Sequence, residues 1–270
     1  MTAATARIDL VLASRSRQRL AGAAAAAAVA AVAAWCLHDV VIADTDWSRI
    51  GGTLGFLAAL QRFFRLDLGL APQLLEPALE TFMMATLGTL LGCLFSLPIA
   101  WLGALNVTPS RILAYPVARF MMVLSRSVHE IIWALLFVAA VGLGALPGIL
   151  AVAMRSVGFI SKITAEAIEN IDPRPVEAMR AVGANRMQVM LYGIIPQILP
   201  VILGTIIFEW DINIRRSAVM GLVGAGGLGL VFFRQMAQFN YGGVTMVILA
   251  VLALIAVGET VSHYLRKAVT

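Results

Sequence analysis

Ionisable side chains stand where this chain is otherwise apolar, and they define the chemistry it could perform. Arg155 lies inside a long apolar stretch, about eight residues, or roughly 12 Å of helix, past Pro147. Glu209 and Asp211 follow a charge-free run, with Arg215 and Arg216 just beyond them. His129 and Glu130 open another apolar run. An uncompensated charge is costly in a low-dielectric region, so arginines placed there either pair with carboxylates or offer positive charge to an anion. For Arg155 both readings are open: a structural ion pair with Glu130 or Glu209, or a place on an anion's path. Arg215 and Arg216 are expected outside the membrane, either snorkelling to the outer headgroups or guiding an anion. His129 reads as a hydrogen-bonded packing residue. No carboxylate pair or nucleophile–base arrangement suggests an enzyme, and no CxxC or histidine cluster suggests a metal. Cys36 and Cys93 read as small buried hydrophobes.

The elements that hold these residues are membrane helices. Hydrophobic residues make up 60% of the 270 residues and charged ones 13%, with a mean hydropathy of +0.90. That is too apolar for a soluble domain. A span needs about 20 apolar residues. The chain supplies Leu20–Leu37, Thr81–Leu105, Ile131–Met154, Met187–Phe208 and Gln235–Gly258. The turn signature from Gly142 to Gly148 divides the third run into a span ending near Val141 and another from Leu146 toward Ala165. The expectation is an all-α, polytopic fold with six transmembrane helices. The first run could be a cleaved signal peptide, but its length favours a retained helix. Ile50, Leu54, Leu57, Leu60 and Phe64 fall at helical spacing and suggest an interfacial helix on the outer leaflet.

Basic residues set the orientation. With the amino terminus inside, thirteen of the 20 Lys and Arg residues fall on inner segments, Arg119 and Arg126 among them. Six fall on outer ones, including Arg62, Arg65, Arg215 and Arg216, and Arg155 remains within the membrane. Both termini are then cytoplasmic. The pI near 9.8 reflects this asymmetry; a nucleic-acid role would need a soluble basic face.

One inner segment carries a specific pattern. Glu177-Ala178-Met179 is followed after three residues by Gly183, and after nine more by Gly193-Ile-Ile195-Pro196. This resembles the coupling loop of ABC importer permeases, EAA, three residues, G, nine residues, I, one residue, LP, with Met179 for the second Ala and Gly193 for the Ile. Pro173 and Pro175 suit a short stiff helix with proline near its start, and Glu177 is well placed against its dipole. Arg180 and Arg186 could reach acidic groups on a partner. Further on, Gly224-Ala-Gly226-Gly227-Leu-Gly229 satisfies G-x-G-x-x-G literally. It lies between membrane segments with no acidic residue about twenty positions on, so close helix packing or a flexible gate suits it better than a dinucleotide site.

The stretch from Asn213 through Gly221 to Gly229 is similar to the phosphonate branch of these permeases. So are Glu80-Thr81 with Gly88-Thr89 and Pro98, and Arg126 through Glu130 and Trp133 to Gly144. The resemblance implies a type I, MetI-like fold in which residues 76–270 form the permease core, with a coupling loop at 170–190. Residues 1–75 add a tail, the first span and the external helix. It further implies a homodimer in the bacterial inner membrane, two ATPase subunits that bind ATP and Mg, an external solute-binding protein, and alternating access for an organophosphonate or related oxyanion. This chain has no G-x-x-x-x-G-K-[ST] of its own. Rival readings are a permease for another solute such as methionine, and an ion-coupled secondary transporter or channel.

Overall fold

The structure, a computed structural model, describes residues 2–43 and 52–269. These are helical, with no strand among the described residues. The chain divides into two compact units, Met1–Gln61 and Arg62–Thr270.

In the first unit α1 (Thr2–Cys36) runs into a π-helical stretch, Leu37–Ala43. Its part Arg19–Ala43 is long and apolar enough to cross a membrane. Leu20, Val29, Val32 and Trp35 are exposed on it, as suits a helix whose surroundings are lipid. Of the segment expected to be an interfacial helix, Gly52–Phe63 is helical as α2; Phe64 follows it, and Ile50 lies outside the described residues. Cys36 is exposed and Cys93 only partly covered. The expectation of buried thiols therefore fails, because an apolar residue of a membrane helix can face lipid instead of protein.

The second unit contains α3 (Leu75–Leu102), α4 (Ala114–Ser127), α5 (Glu130–Val141), α6 (Ala145–Glu169), α7 (Pro173–Ala181), α8 (Arg186–Gln188), α9 (Ile195–Met220), α10 (Gly227–Ala237) and α11 (Tyr241–Val269). Small residues bring α3 and α6 together. A Cβ at Gly88 would stand 2.6 Å from Val152 Cβ, and one at Gly92 2.5 Å from Ser156 Cβ. This four-residue spacing of glycines lets two backbones approach closely, which drives helix association where lipid offers no hydrophobic gain. Gly158 does the same for α4, lying against Ser125, whose hydroxyl accepts from Gly158 N at 3.0 Å.

Five helical stretches among the described residues can cross a membrane, and α4 with α5, bent by 93°, make a sixth if counted as one span. Six is thus the upper count, and three boundaries differ from expectation. Arg119 and Arg126 lie on the helix α4 and not in a loop. Arg119 pairs with Glu169 at 2.7 Å, and the Arg126 carbonyl accepts from Arg155. The helix of the fifth span does not end at Phe208. It continues from Arg186 to Val223, so Glu209, Asp211, Arg215 and Arg216 lie on α9 and not in a loop. Gln235 lies in the last turn of a separate short helix, α10, which ends at Ala237, and the last span starts at Tyr241. In the first two cases a helix passes through charged residues because those charges have partners.

Candidate functional site

The segment 170–190 folds as a short helix fixed at both ends. Asp172 caps α7: its carboxylate accepts from Arg174 N at 3.0 Å, and Pro173 occupies the first turn, where its missing N–H is no loss. The Arg174 guanidinium, donating to the same carboxylate, holds Asp172 below the usual carboxylate range. At the far end Gly183 adopts φ +82°. Gly183 N donates to Arg180 O and Ala184 N to Met179 O, both at 3.0 Å. This glycine-terminated cap satisfies carbonyls that the helix leaves open. Nothing lies within 4 Å of a Cβ built on Gly183, so backbone conformation alone calls for glycine there. Asn185 and Gln188 then form a reciprocal capping box.

This helix is seated by one buried side chain, Val176, with Met179 partly buried beside it. Val176 is buried with Val189, Ile194, Ile198 and Ile168, and a Cβ on Gly193 would stand 3.6 Å from it. Gln197 on α9 reaches back, accepting from Asp172 N at 2.9 Å. Glu177, Ala178, Arg180, Arg186 and Pro196 all remain exposed. Arg180 and Arg186 border a cavity of about 680 Å³ with Trp101, Asn106 and Thr108.

The charged residues of the apolar stretches come together elsewhere, in one chain of contacts. Arg216 donates to Glu209 Oε1 at 2.8 Å and lies 3.5 Å from Glu130 Oε1. Arg155 lies 3.9 Å from Glu130 Oε2 and donates to the Arg126 carbonyl at 2.7 Å. Glu209 is wholly buried and also accepts from Ser156 at 3.2 Å. Asn213 is equally buried; it donates to Ser156 at 2.8 Å and Thr89 at 2.9 Å, and accepts from Arg216 at 3.1 Å. Arg215 pairs with Asp211 one turn away. Of the two sequence alternatives for Arg155, the geometry selects Glu130 as its carboxylate partner. Arg215 and Arg216 are ion-paired side chains of α9. His129 caps α5 through its ring nitrogen, 3.3 Å from Ile131 N, and is largely exposed.

The glycine-rich segment is a packed corner. Gly224, Gly226 and Gly227 have φ of +88°, +84° and +66°. A Cβ on Gly221 would run into the backbone of Leu230 and Gly226, and one on Gly229 into that of Ala218 and Gly221. The N-terminus of α10 is capped from α3: Gly227 N donates to Glu80 at 2.8 Å and Leu228 N to Thr81 at 2.9 Å. A carboxylate there satisfies open N–H groups and suits the helix dipole. Sequence reasoning singled out Glu80-Thr81 and the glycines separately and missed that they meet. It named Asn213 and Thr89 within the resembling stretches without giving either a partner, and it missed Ser156, although Glu209, Asn213 and Arg216 share helical spacing on one face of α9.

Comparison with known proteins agrees with this geometry. A family described as the inner membrane component of binding-protein-dependent transport systems matches residues 51–270. The chain is 42% identical over 193 residues to a phosphite transport system permease protein of Stutzerimonas stutzeri, covering 72% of this chain and 70% of that one. It is 35% identical over 242 residues to a phosphate-import permease protein of Mycolicibacterium smegmatis, spanning 87% of this chain and 43% of that protein. Among solved structures, a chain of the MetNI methionine ABC transporter superposes with a TM-score of 0.66 at 23% identity, over 76% of this chain and all of that one; this is a likeness of fold. The chain therefore belongs to the family of inner membrane components of binding-protein-dependent transport systems, and it is an all-helical ABC importer permease subunit and not an enzyme.

Proposed function

We propose that this permease carries phosphonate, phosphite or a related phosphorus oxyanion across the cytoplasmic membrane. The observation that carries this reading is the pair Arg155, midway along α6, and Arg216, near the C-terminal end of α9, which share one carboxylate. Such a pair suits a small anion, because guanidinium matches a tetrahedral oxyanion in charge and donor geometry. Similarity to the phosphite and phosphate permeases supports the same substrate class.

The exposed helix α7, with Glu177, Ala178, Arg180, Gly183 and Arg186, is the coupling element. It docks on an ATPase subunit that binds ATP and Mg, with Arg180 and Arg186 meeting acidic groups there. Two such subunits call for two permease chains, a second copy of this one in the simplest case. An external binding protein delivers the anion. The segment 170–190 and both termini face the cytoplasm. When ATP closes the ATPase pair, the two coupling helices approach and the pathway opens outward; hydrolysis reverses this. Gly221, Gly224, Gly226, Gly227 and Gly229 form the rigid corner against which α9 and α10 move.

The test is uptake into proteoliposomes holding the complete complex and its binding protein. ATP-dependent uptake of labelled methylphosphonate, competed by phosphite and untouched by methionine, is expected. Uptake of methionine in place of methylphosphonate would overturn the substrate reading.

A further inference from the structure

Glu130 is the first residue of α5, directly after the elbow at Val128 and His129 where α4 and α5 meet at 93°. Its carboxylate is shared by two guanidiniums yet is tightly bonded to neither: the nitrogens of Arg155 and Arg216 stand 3.9 and 3.5 Å away. The arginines' firm bonds go elsewhere, Arg216 to Glu209 at 2.8 Å and Arg155 to the Arg126 carbonyl at 2.7 Å. Two polar atoms of this group are buried without a hydrogen-bond partner. One is a donor, Arg155 Nε, and the other an acceptor, Glu209 Oε2. The four side chains sum to zero charge only while Glu130 stays between the arginines. A carboxylate and a phosphorus oxyanion offer guanidinium the same thing, a delocalised negative charge on coplanar or splayed oxygens.

From this we infer that Glu130 is a built-in counter-anion occupying the place of the transported oxyanion, and that Glu209 selects an anion still carrying a proton. The inference rests on the importer reading above. A turn of α5 about its own axis, allowed by the break before it, swings the Glu130 side chain away and leaves two guanidiniums uncompensated, a state that an incoming anion neutralises. Return of Glu130 restores the internal pairs and expels the anion, so binding stays weak enough for release. Glu209 Oε2 can only accept a hydrogen bond, so it favours a hydrogen phosphonate, phosphite or phosphate, whose P–OH donates. It disfavours sulfate, which carries no proton near neutrality and meets a second carboxylate instead. No bond is made or broken; the only exchange is of one counter-anion for another.

The test is equilibrium dialysis of labelled methylphosphonate against the detergent-solubilised permease–ATPase complex without binding protein. Glu130→Gln is expected to bind at least ten-fold more tightly than the native complex. Glu130→Asp, which keeps the charge but holds it farther from both arginines, should bind at least three-fold more tightly. Glu209→Gln should let sulfate compete at least five-fold better. If Glu130→Gln does not assemble, Glu130→Asp decides the matter. Native affinity in the assembled Glu130 variants, or unchanged sulfate competition in Glu209→Gln, overturns the inference. A native complex that binds and takes up no phosphorus oxyanion fails the importer reading itself, which separates the two.

Discussion

Gly183, Gly221 and Gly204 are all glycines near or within membrane helices, yet each answers to a different constraint. Gly183 needs only its left-handed backbone, so Gly183→Ala should lower stability by about 1 kcal/mol. Gly221 is enclosed by the backbone of α10, which cannot give way as a side chain can; Gly221→Ala should cost about 1–3 kcal/mol. Gly204 has open space around it on α9, and alanine there should be neutral or stabilise by up to about 1 kcal/mol. Thermal unfolding of the purified complex would show the order, and an equal fall for all three would refute the packed corner. Asp172 adds a pH dependence. Its folded pKa is depressed by Arg174, so its stabilisation of α7 is present above the ordinary carboxylate range and lost as pH falls through the depressed value. Asp172→Asn should therefore remove the acid-side loss, measured by protease protection of the 170–190 segment. At this scale the cap of α7 was legible, because proline, glycine and their spacing act locally. The pairing of Arg216 with Glu130 was not, because the two are remote in sequence.

Val176 is the one buried side chain of α7, seated among Val189, Ile194 and Ile198. Placing a carboxylate there leaves a charge without a partner, a penalty of about 3–5 kcal/mol. Val176→Asp is thus expected to detach α7 and abolish co-purification of the ATPase while the helices of the second unit remain intact. Val176→Ala should reduce co-purification only partly. Normal recovery of the ATPase with Val176→Asp would show that α7 needs no seat on α9. The limits of the elements were the part least open to sequence reasoning. Apolar runs end at the first charge when read as strings. In the structure Asp211 pairs with Arg215, and Glu209 with Arg216, so α9 continues through all four. The i,i+4 spacing of Asp211 and Arg215 was the available signal. For α4, Arg119 and Arg126 concealed a helix where an inner segment was expected.

Across the molecule, chain direction puts segment 170–190 and the start of α4 at one end of the helices. Leu105 N and Arg119 both reach Glu169 there. The α5–α6 turn and the starts of α3 and α11 lie at the other. Single cysteines at Ser110 and Asn185 should react only from the cytoplasmic side, and one at Ala145 only from outside, once Cys36 and Cys93 are replaced. Labelling of Asn185 from outside would invert the proposed orientation. The helical class and the number of spans were readable because hydropathy alone decides them. The pairing of helices was not, since it depends on small residues such as Gly88 and Gly92 meeting partners more than sixty positions away. Most directly at stake is whether α7 transmits the work of ATP to the anion. Uptake and ATP hydrolysis measured together in proteoliposomes, for the native complex and for Glu177→Lys and Gly183→Asp, decide it. Uptake should fall at least ten-fold in both variants while the permease stays in the vesicles. Native uptake in both, with native ATPase binding, would contradict a coupling role for this helix.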